Sequence, residues 1–423
     1  MYRLACLSQF FSRYARWLLL SMAVAVLAGT ASAWFLFALE WATGTRKTHA
    51  WLIWLLPLAG FATGWLYLRF GGDVEGGVSL LIEEIHTSGK PVPLRMAPLV
   101  LGATVVSHLF GASVGREGTA VQMGGALADQ LTSRFQLDAQ ERRMVLIAGI
   151  SAGFASVFGT PLAGAVFGLE VLVLGRLPLV FYRALLPCLA AALLADQVVL
   201  LWGKVLDVHH THYAIAALPA ISLRSVLAVA IAGVVFGLAA RVFAQTTHAL
   251  AQAMKRVITY APLRPLLGGV LVALAVWLLS TERYIGLGIP TIAQSLLEPV
   301  PAYDFLAKMA FTIVSLGSSF KGGEVTPLFF IGATLGNALA PLLHQPLALL
   351  AAVGFVAVFA GAANTPLAST LMAIELFGAD IGVFAAIACF VAYQFSGRHG
   401  IYRAQRTAGS WRPPAPGPGG SQH

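Results

Sequence analysis

Gly115-Arg116-Glu117-Gly118-Thr119 and Gly322-Gly323-Glu324-Val325-Thr326 share the pattern Gly-x-Glu-x-Thr, and an apolar run follows each. Working outward, Thr160-Pro161-Leu162-Ala163 recurs as Thr365-Pro366-Leu367-Ala368, and a glutamate, Glu170 or Glu375, stands nine residues after each proline. From Glu117 to Thr160 is 43 residues, and from Glu324 to Thr365 is 41. One such match arises easily by chance, but two in the same order and register indicate an internal duplication spanning about half the chain.

Between these markers the apolar stretches are unusual in length. Segments 16–39, 50–70, 177–201 and 263–280 reach the roughly 20 residues that a bilayer-spanning helix needs. By contrast 119–131, 144–158, 160–175, 327–340, 346–360 and 366–377 are short, each bounded by Gly, Pro or a charge. A helix that stops inside a membrane leaves backbone donors unpaired, which is tolerable only against protein or a solvated site. Broken helices in duplicated chains therefore point to an ion or substrate site near the midplane.

Composition agrees. Of 423 residues, 58% are hydrophobic and 11% charged, against about 45–50% and 25% in soluble domains. The expected fold is an all-α polytopic membrane protein, a bundle with many short, broken and re-entrant helices. Cys6, Cys188 and Cys389 lie far apart without a CxxC, which excludes a disulfide framework or thiolate metal site. The net charge of +9 comes from basic residues scattered between apolar spans, so membrane topology explains it better than nucleic acid. Arg3, Arg13 and Arg16 at one end and Arg398, Arg403, Arg406 and Arg412 at the other place both termini in the cytoplasm by the positive-inside rule. Ala31-Ser32-Ala33 resembles a signal-peptide cleavage site, but the apolar run continues to Leu39, as in an uncleaved first span. The expected division is a first repeat over 1–203, a polar loop over 204–221, a second repeat over 222–402, and a flexible tail over 403–423 with no regulatory domain.

The chemistry of the Gly-x-Glu-x-Thr segments runs through the backbone. Glycines permit close approach, and the helix that follows begins with unpartnered N–H groups whose dipole favours an anion. Identity alone leaves parallel and inverted arrangements of the repeats open. If they are inverted, the two helix N-termini converge. Glu117 then stands where an anion would bind, filling the site when ionised and vacating it when protonated, which links proton and anion movement.

Gly115-Arg116-Glu117-Gly118-Thr119 followed by Ala-Val-Gln-Met-Gly-Gly, the second Gly-Gly-Glu-Val-Thr-Pro, the paired Thr-Pro-Leu-Ala segments and Gly400-Ile401-Tyr402 together resemble the CLC family of anion channels and proton-coupled antiporters. The resemblance covers nearly the whole chain. It implies inverted repeats, a homodimer with an anion path in each subunit, a gating role for Glu117 and an anion-facing hydroxyl on Tyr402. Gly115, Arg116 and Gly118 fall within the first matched motif, and Glu324, Val325 and Thr326 within the second. The departures from chloride-handling members are specific. Thr119 replaces a proline, Glu324-Val325-Thr326 replaces an apolar motif, and Glu170 is followed by Val171 rather than by a second glutamate, so the usual internal proton site is missing. These features resemble the fluoride-exporting clade, in which the glutamate matching Glu324 takes part in coupling. At the early anion-ligand position either Val78 or Ser79 fits the pattern.

Fluoride is small, strongly hydrated and basic, so a path for it needs several short hydrogen bonds and can use a protonated carboxyl as donor. The expected function is fluoride export coupled to protons across a bacterial inner membrane, without a cofactor, with a chloride antiporter or channel as the alternative and a membrane-embedded metalloenzyme as a more distant one. Structural roles remain open for several residues: Glu324 can pair with Lys321, Thr119 and Thr326 can cap helices, and Glu170 and Glu375 read as structural or cytoplasm-facing. Glu83-x-x-His86 has a di-iron spacing, but it occurs once. The histidines at 209, 210 and 212 beside Asp207 read as a polar loop, and His108 as a buried, satisfied histidine.

Overall fold

The computed structural model of the chain describes residues 2–174, 183–211, 213, 215 and 218–407. His212, the start of the expected 177–201 span and the tail from residue 408 lie outside the described residues. Sixteen α-helices among the described residues divide into two sets of eight that match in order, and the six inner helices of each set also match closely in length. The first set is α1 (Tyr2–Thr48), α2 (Leu56–Phe70), α3 (Val78–Thr87), α4 (Met96–Phe110), α5 (Glu117–Arg134), α6 (Ala139–Phe158), α7 (Pro161–Glu170) and α8 (Leu185–Leu206). The second is α9 (Leu223–Val257), α10 (Leu263–Leu279), α11 (Ile289–Leu297), α12 (Asp304–Gly317), α13 (Val325–Leu343), α14 (Leu347–Ala363), α15 (Pro366–Phe377) and α16 (Gly382–Ser396).

The motifs mark the helix boundaries for local reasons. Gly159 ends α6 in the left-handed region at φ 69°, a conformation that costs glycine little. Thr160 then leaves the helical region at φ −126° and ψ 74°, and Pro161 opens α7 at a first-turn position where its missing N–H costs nothing. Asn364, Thr365 and Pro366 repeat this break between α14 and α15, with Asn364 at φ 57°. The sequence underestimated several lengths. The first helix extends well past 16–39, and the expected 327–340 segment lies within a 19-residue helix. Apolar runs mark what lies in lipid or core, whereas hydrogen bonding carries a helix on through its polar ends.

Packing reproduces the duplication. α5 pairs with α6 as α13 pairs with α14, and α1 with α8 as α9 with α16. In both helical hairpins glycines bring backbones together. A Cβ on Gly153 would stand 2.3 Å from the Ala120 carbonyl oxygen, and one on Gly332 2.0 Å from that of Gly354. Small residues allow this approach where lipid provides no hydrophobic drive between helices.

α7 and α15 are the most informative pair. The Glu170 carboxylate at the end of α7 accepts hydrogen bonds from Leu367 N (3.0 Å) and Ala368 N (2.8 Å) at the start of α15. Glu375 on α15 accepts from Leu162 N and Ala163 N of α7, both at 2.8 Å. Reciprocal capping requires the two helices to lie side by side and antiparallel, related by a two-fold axis across them. With these short helices within the bundle, that is the geometry of an inverted repeat. The structural reading of these two glutamates acquires a specific physical content: each satisfies amides that would otherwise be orphaned.

After α16 the chain returns to this centre. Two-residue strands, β1 (Val173–Leu174) and β2 (Arg406–Thr407), pair in parallel. Ile401 N bonds to the Ala362 carbonyl at 2.8 Å, and the Gln405 amide donates to the carbonyls of Val171 and Ala363. These bonds hold Tyr402 in place.

Candidate functional site

The two Gly-x-Glu-x-Thr segments meet directly. Gly115 and Gly323 form an antiparallel bridge, with Gly115 N to Gly323 O at 2.6 Å and Gly323 N to Gly115 O at 2.8 Å. Glycine is required on both sides. A Cβ on Gly115 would lie 2.7 Å from Glu117 Oε2, and one on Gly323 2.7 Å from Gly118 N. From this crossing α5 and α13 depart, so their N-termini converge.

Glu117 fills the N-terminus of α13. Its carboxylate is fully buried and accepts from Thr326 N at 3.1 Å, from Arg116 N at 3.0 Å and from the Thr326 hydroxyl. Arg116 Nε lies 3.7 Å from Oε1, adding a charge contact. These are the donors that the anion-site reading requires, and a carboxylate now uses them. The Thr326 hydroxyl donates to the Glu117 carboxylate and is not an N-cap: Glu324 holds the cap position and no side-chain cap bond forms there.

The equivalent residues of the other repeat are arranged differently. Thr119 does not reach Glu324; its hydroxyl pairs with that of Thr104 at 2.7 Å. Glu324 is half-buried and borders a cavity of about 430 Å³. Val78, Ser79, Gln122, Lys321 and Tyr402 line the same cavity. Its edge thus carries the N-terminus of α3, where Gly77 at φ 58° turns the chain into the helix. Both Val78 and Ser79 face it, the first buried and the second half-buried. Val325 is buried in the first turn of α13. Most of the expected site residues are therefore gathered around one crossing, with Glu117 closed off and Glu324 and Tyr402 on the open side.

The pairing of Glu324 with Lys321 is not what the structure contains. The Lys321 ammonium lies over the Tyr67 ring, 4.0 Å from its centroid, and no ion pair joins it to Glu324 among the described residues. His86 Nε2 bonds to the Leu172 carbonyl at 2.9 Å, and no cluster of three or more metal-ligating side chains occurs among the described residues. His108 is only half satisfied: Nδ1 bonds to the Thr104 carbonyl, and the buried Nε2 has no partner.

Sequence reasoning missed two groups. The Ser113 hydroxyl donates to the Tyr284 carbonyl and pairs with that of Thr312, and its backbone N–H donates to the Ser315 hydroxyl, tying the loop before Glu117 to the second repeat. Lys308, fully buried, donates to the carbonyls of Tyr284 and Gly286 at 3.0 and 2.7 Å. A lone lysine in the apolar run 305–316 was the available signal.

Comparison with known proteins agrees with this geometry. A family model described as voltage gated chloride channel matches residues 59–397. A "Chloride/fluoride channel protein" of Pseudomonas syringae pv. tomato is 61% identical over 94% of this chain and 87% of its own length. Among solved structures, a CLC-type fluoride/proton antiporter superimposes with a TM-score of 0.88 at 34% identity, covering 93% of this chain and 98% of that one. A slow cyanobacterial Cl⁻/H⁺ antiporter, at 20% identity and a TM-score of 0.76 over 92% and 96% of the chains, shares the fold. A multi-pass chain with two antiparallel eight-helix repeats crossing at paired Gly-x-Glu-x-Thr segments, matched over this extent, belongs to the CLC family of anion channels and transporters, which are not enzymes.

Proposed function

We propose that this protein exports fluoride in exchange for protons, with Glu117 as the group that both anion and proton address. The observation that carries the reading is the Glu117 carboxylate seated on the α13 N-terminus and the Thr326 hydroxyl. An anion arriving there competes with an ionised Glu117 for the same donors. Protonation removes the competition and turns the carboxyl into a donor, which suits a small basic halide. Glu324, on the cavity side of the crossing, exchanges protons between Glu117 and solution. Tyr402 and the backbone at Val78 and Ser79 supply donors to an anion in transit, while Gly115 and Gly118 allow the close crossing and Arg116 adds positive charge. The similarity to proteins named for fluoride supports the choice of ion.

The halves over 1–203 and 222–402, joined by the loop over 204–221, each contribute one Gly-x-Glu-x-Thr segment to this path. The protein sits in a bacterial inner membrane with both termini cytoplasmic, and works as a homodimer. Support for the dimer comes from α7 and α15. Leu162 and Leu367 are 45% and 49% exposed beside the half-buried Glu375 carboxylate. A carboxylate facing lipid is costly, and a second copy would cover it.

Purified protein in liposomes, read with fluoride, chloride and pH electrodes together, tests the function. Fluoride efflux with opposing proton movement and little chloride flux is expected. Comparable chloride flux would favour the chloride antiporter or channel, a reading kept open because the Pseudomonas relative is named for both ions.

A further inference from the structure

Lys321 is a cation placed where the proposed path meets the cavity. It lies three residues before Glu324, on the turn that leads into α13, and lines the same 430 Å³ cavity as Glu324 and Tyr402. Its Nζ lies 4.0 Å from the centroid of the Tyr67 ring, which also lines the cavity. No carboxylate lies within 4.0 Å of it among the described residues. Glu75, at the cavity wall, is 4.0 Å from Lys255 and attracts Lys321 from farther away.

Two physical points follow. A partly desolvated ammonium whose carboxylate neighbour, Glu75, lies beyond ion-pair distance is expensive, and an aromatic face offsets only about 0.5–2 kcal/mol of that. Moreover, the ring contact fixes the position of the ammonium without consuming its three N–H donors, since a π-face attracts the charge and does not replace a hydrogen-bond acceptor. A lysine held in this way offers charge and donors to a mobile anion.

We propose that Lys321, positioned by Tyr67, forms a recruiting site in which fluoride rests on its way between the cavity and the crossing at Glu324 and Tyr402. This deepens the fluoride-transport reading and rests on it. A hard, strongly hydrated anion gains most from such a site, because an ammonium with free donors can replace part of its water shell. An anion beside Lys321 would also compensate its charge at closer range than Glu75 does.

The test compares Lys321→Gln, Lys321→Arg and Tyr67→Leu in liposomes, titrating fluoride on the cavity side, with fluoride binding by calorimetry in detergent as a second readout. Loss of a charge-assisted contact raises apparent KM and weakens binding about tenfold in Lys321→Gln, with kcat changed less than about twofold. Lys321→Arg restores most of the affinity. Tyr67→Leu, which keeps the charge and loses the platform, raises KM about two- to fourfold. Unchanged KM and binding in Lys321→Gln overturn the proposal, as does a fall in kcat at constant KM. If Lys321→Gln does not fold, the arginine and Tyr67 variants decide: wild-type KM in Tyr67→Leu overturns the positioning. Wild-type protein that moves chloride as readily as fluoride would instead defeat the functional reading, a result separable from the behaviour of the variants.

Discussion

Glu117 and Glu324 occupy matched sequence positions but stand in different surroundings, and the difference is carried by single atoms. The hydroxyl of Thr326 reaches Glu117, whereas that of Thr119 is engaged by Thr104. One carboxylate is thereby locked onto a helix N-terminus and the other left at a cavity wall. Glu117→Gln keeps the shape but cannot alternate between charged and neutral forms, so proton movement accompanying fluoride is expected to vanish; a pH electrode reading of unchanged proton flux would falsify the gating role. Thr326→Val is nearly isosteric and removes one donor from the α13 N-terminus. Losing a hydrogen bond to a charged group costs about 1.5–3 kcal/mol, so fluoride turnover should fall at least about tenfold while Thr326→Ser retains it. Equal turnover of the valine and serine variants would show that the hydroxyl is dispensable.

At the scale of elements, the reciprocal caps and the glycine contacts make quantitative demands. Glu170→Ala or Glu375→Ala each strands two backbone amides, and loss of a cap typically costs about 0.5–2 kcal/mol. Thermal unfolding in detergent should show the two variants lowering Tm by similar amounts, as the symmetry of their contacts requires, with fluoride transport by the folded protein largely preserved. Abolished transport at unchanged Tm in either would mean that the glutamate works in the path and not as a cap. Gly332→Ala places a methyl group against the Gly354 carbonyl, and overpacking of this kind costs about 1–3 kcal/mol. A Tm within a degree of wild type would show that α13 and α14 can separate more easily than their packing suggests.

For the molecule as a whole, two eight-helix halves share one crossing, so neither half contains a complete site. Light scattering on the purified protein should give a mass of two chains if the exposed α7–α15 face is covered by a second copy; a monomer mass with full activity would remove that interface from the mechanism. Much of this organisation was legible in the sequence. The repeated motifs gave the duplication, the short apolar runs gave the broken helices, and the resemblance gave the roles expected of Glu117 and Tyr402. Helix ends were read less well, because backbone hydrogen bonding continues through polar residues that an apolar count treats as boundaries. The alternative in which Glu324 pairs with Lys321 could not be decided from the sequence for a related reason: nearness in sequence does not fix direction, and an aromatic ring from α2, distant in the chain, holds the lysine.

The sequence by itself determined the membrane class, the duplicated halves and the residue types brought to the site, since these depend on composition and spacing, which folding does not alter. Only the tertiary structure decided which carboxylate is closed off and which faces the cavity, and which glutamate caps which helix. It also decided where Lys321 rests. Those outcomes depend on contacts between residues about 200 positions apart, and pattern within a segment holds no information about the partner that a distant segment will present.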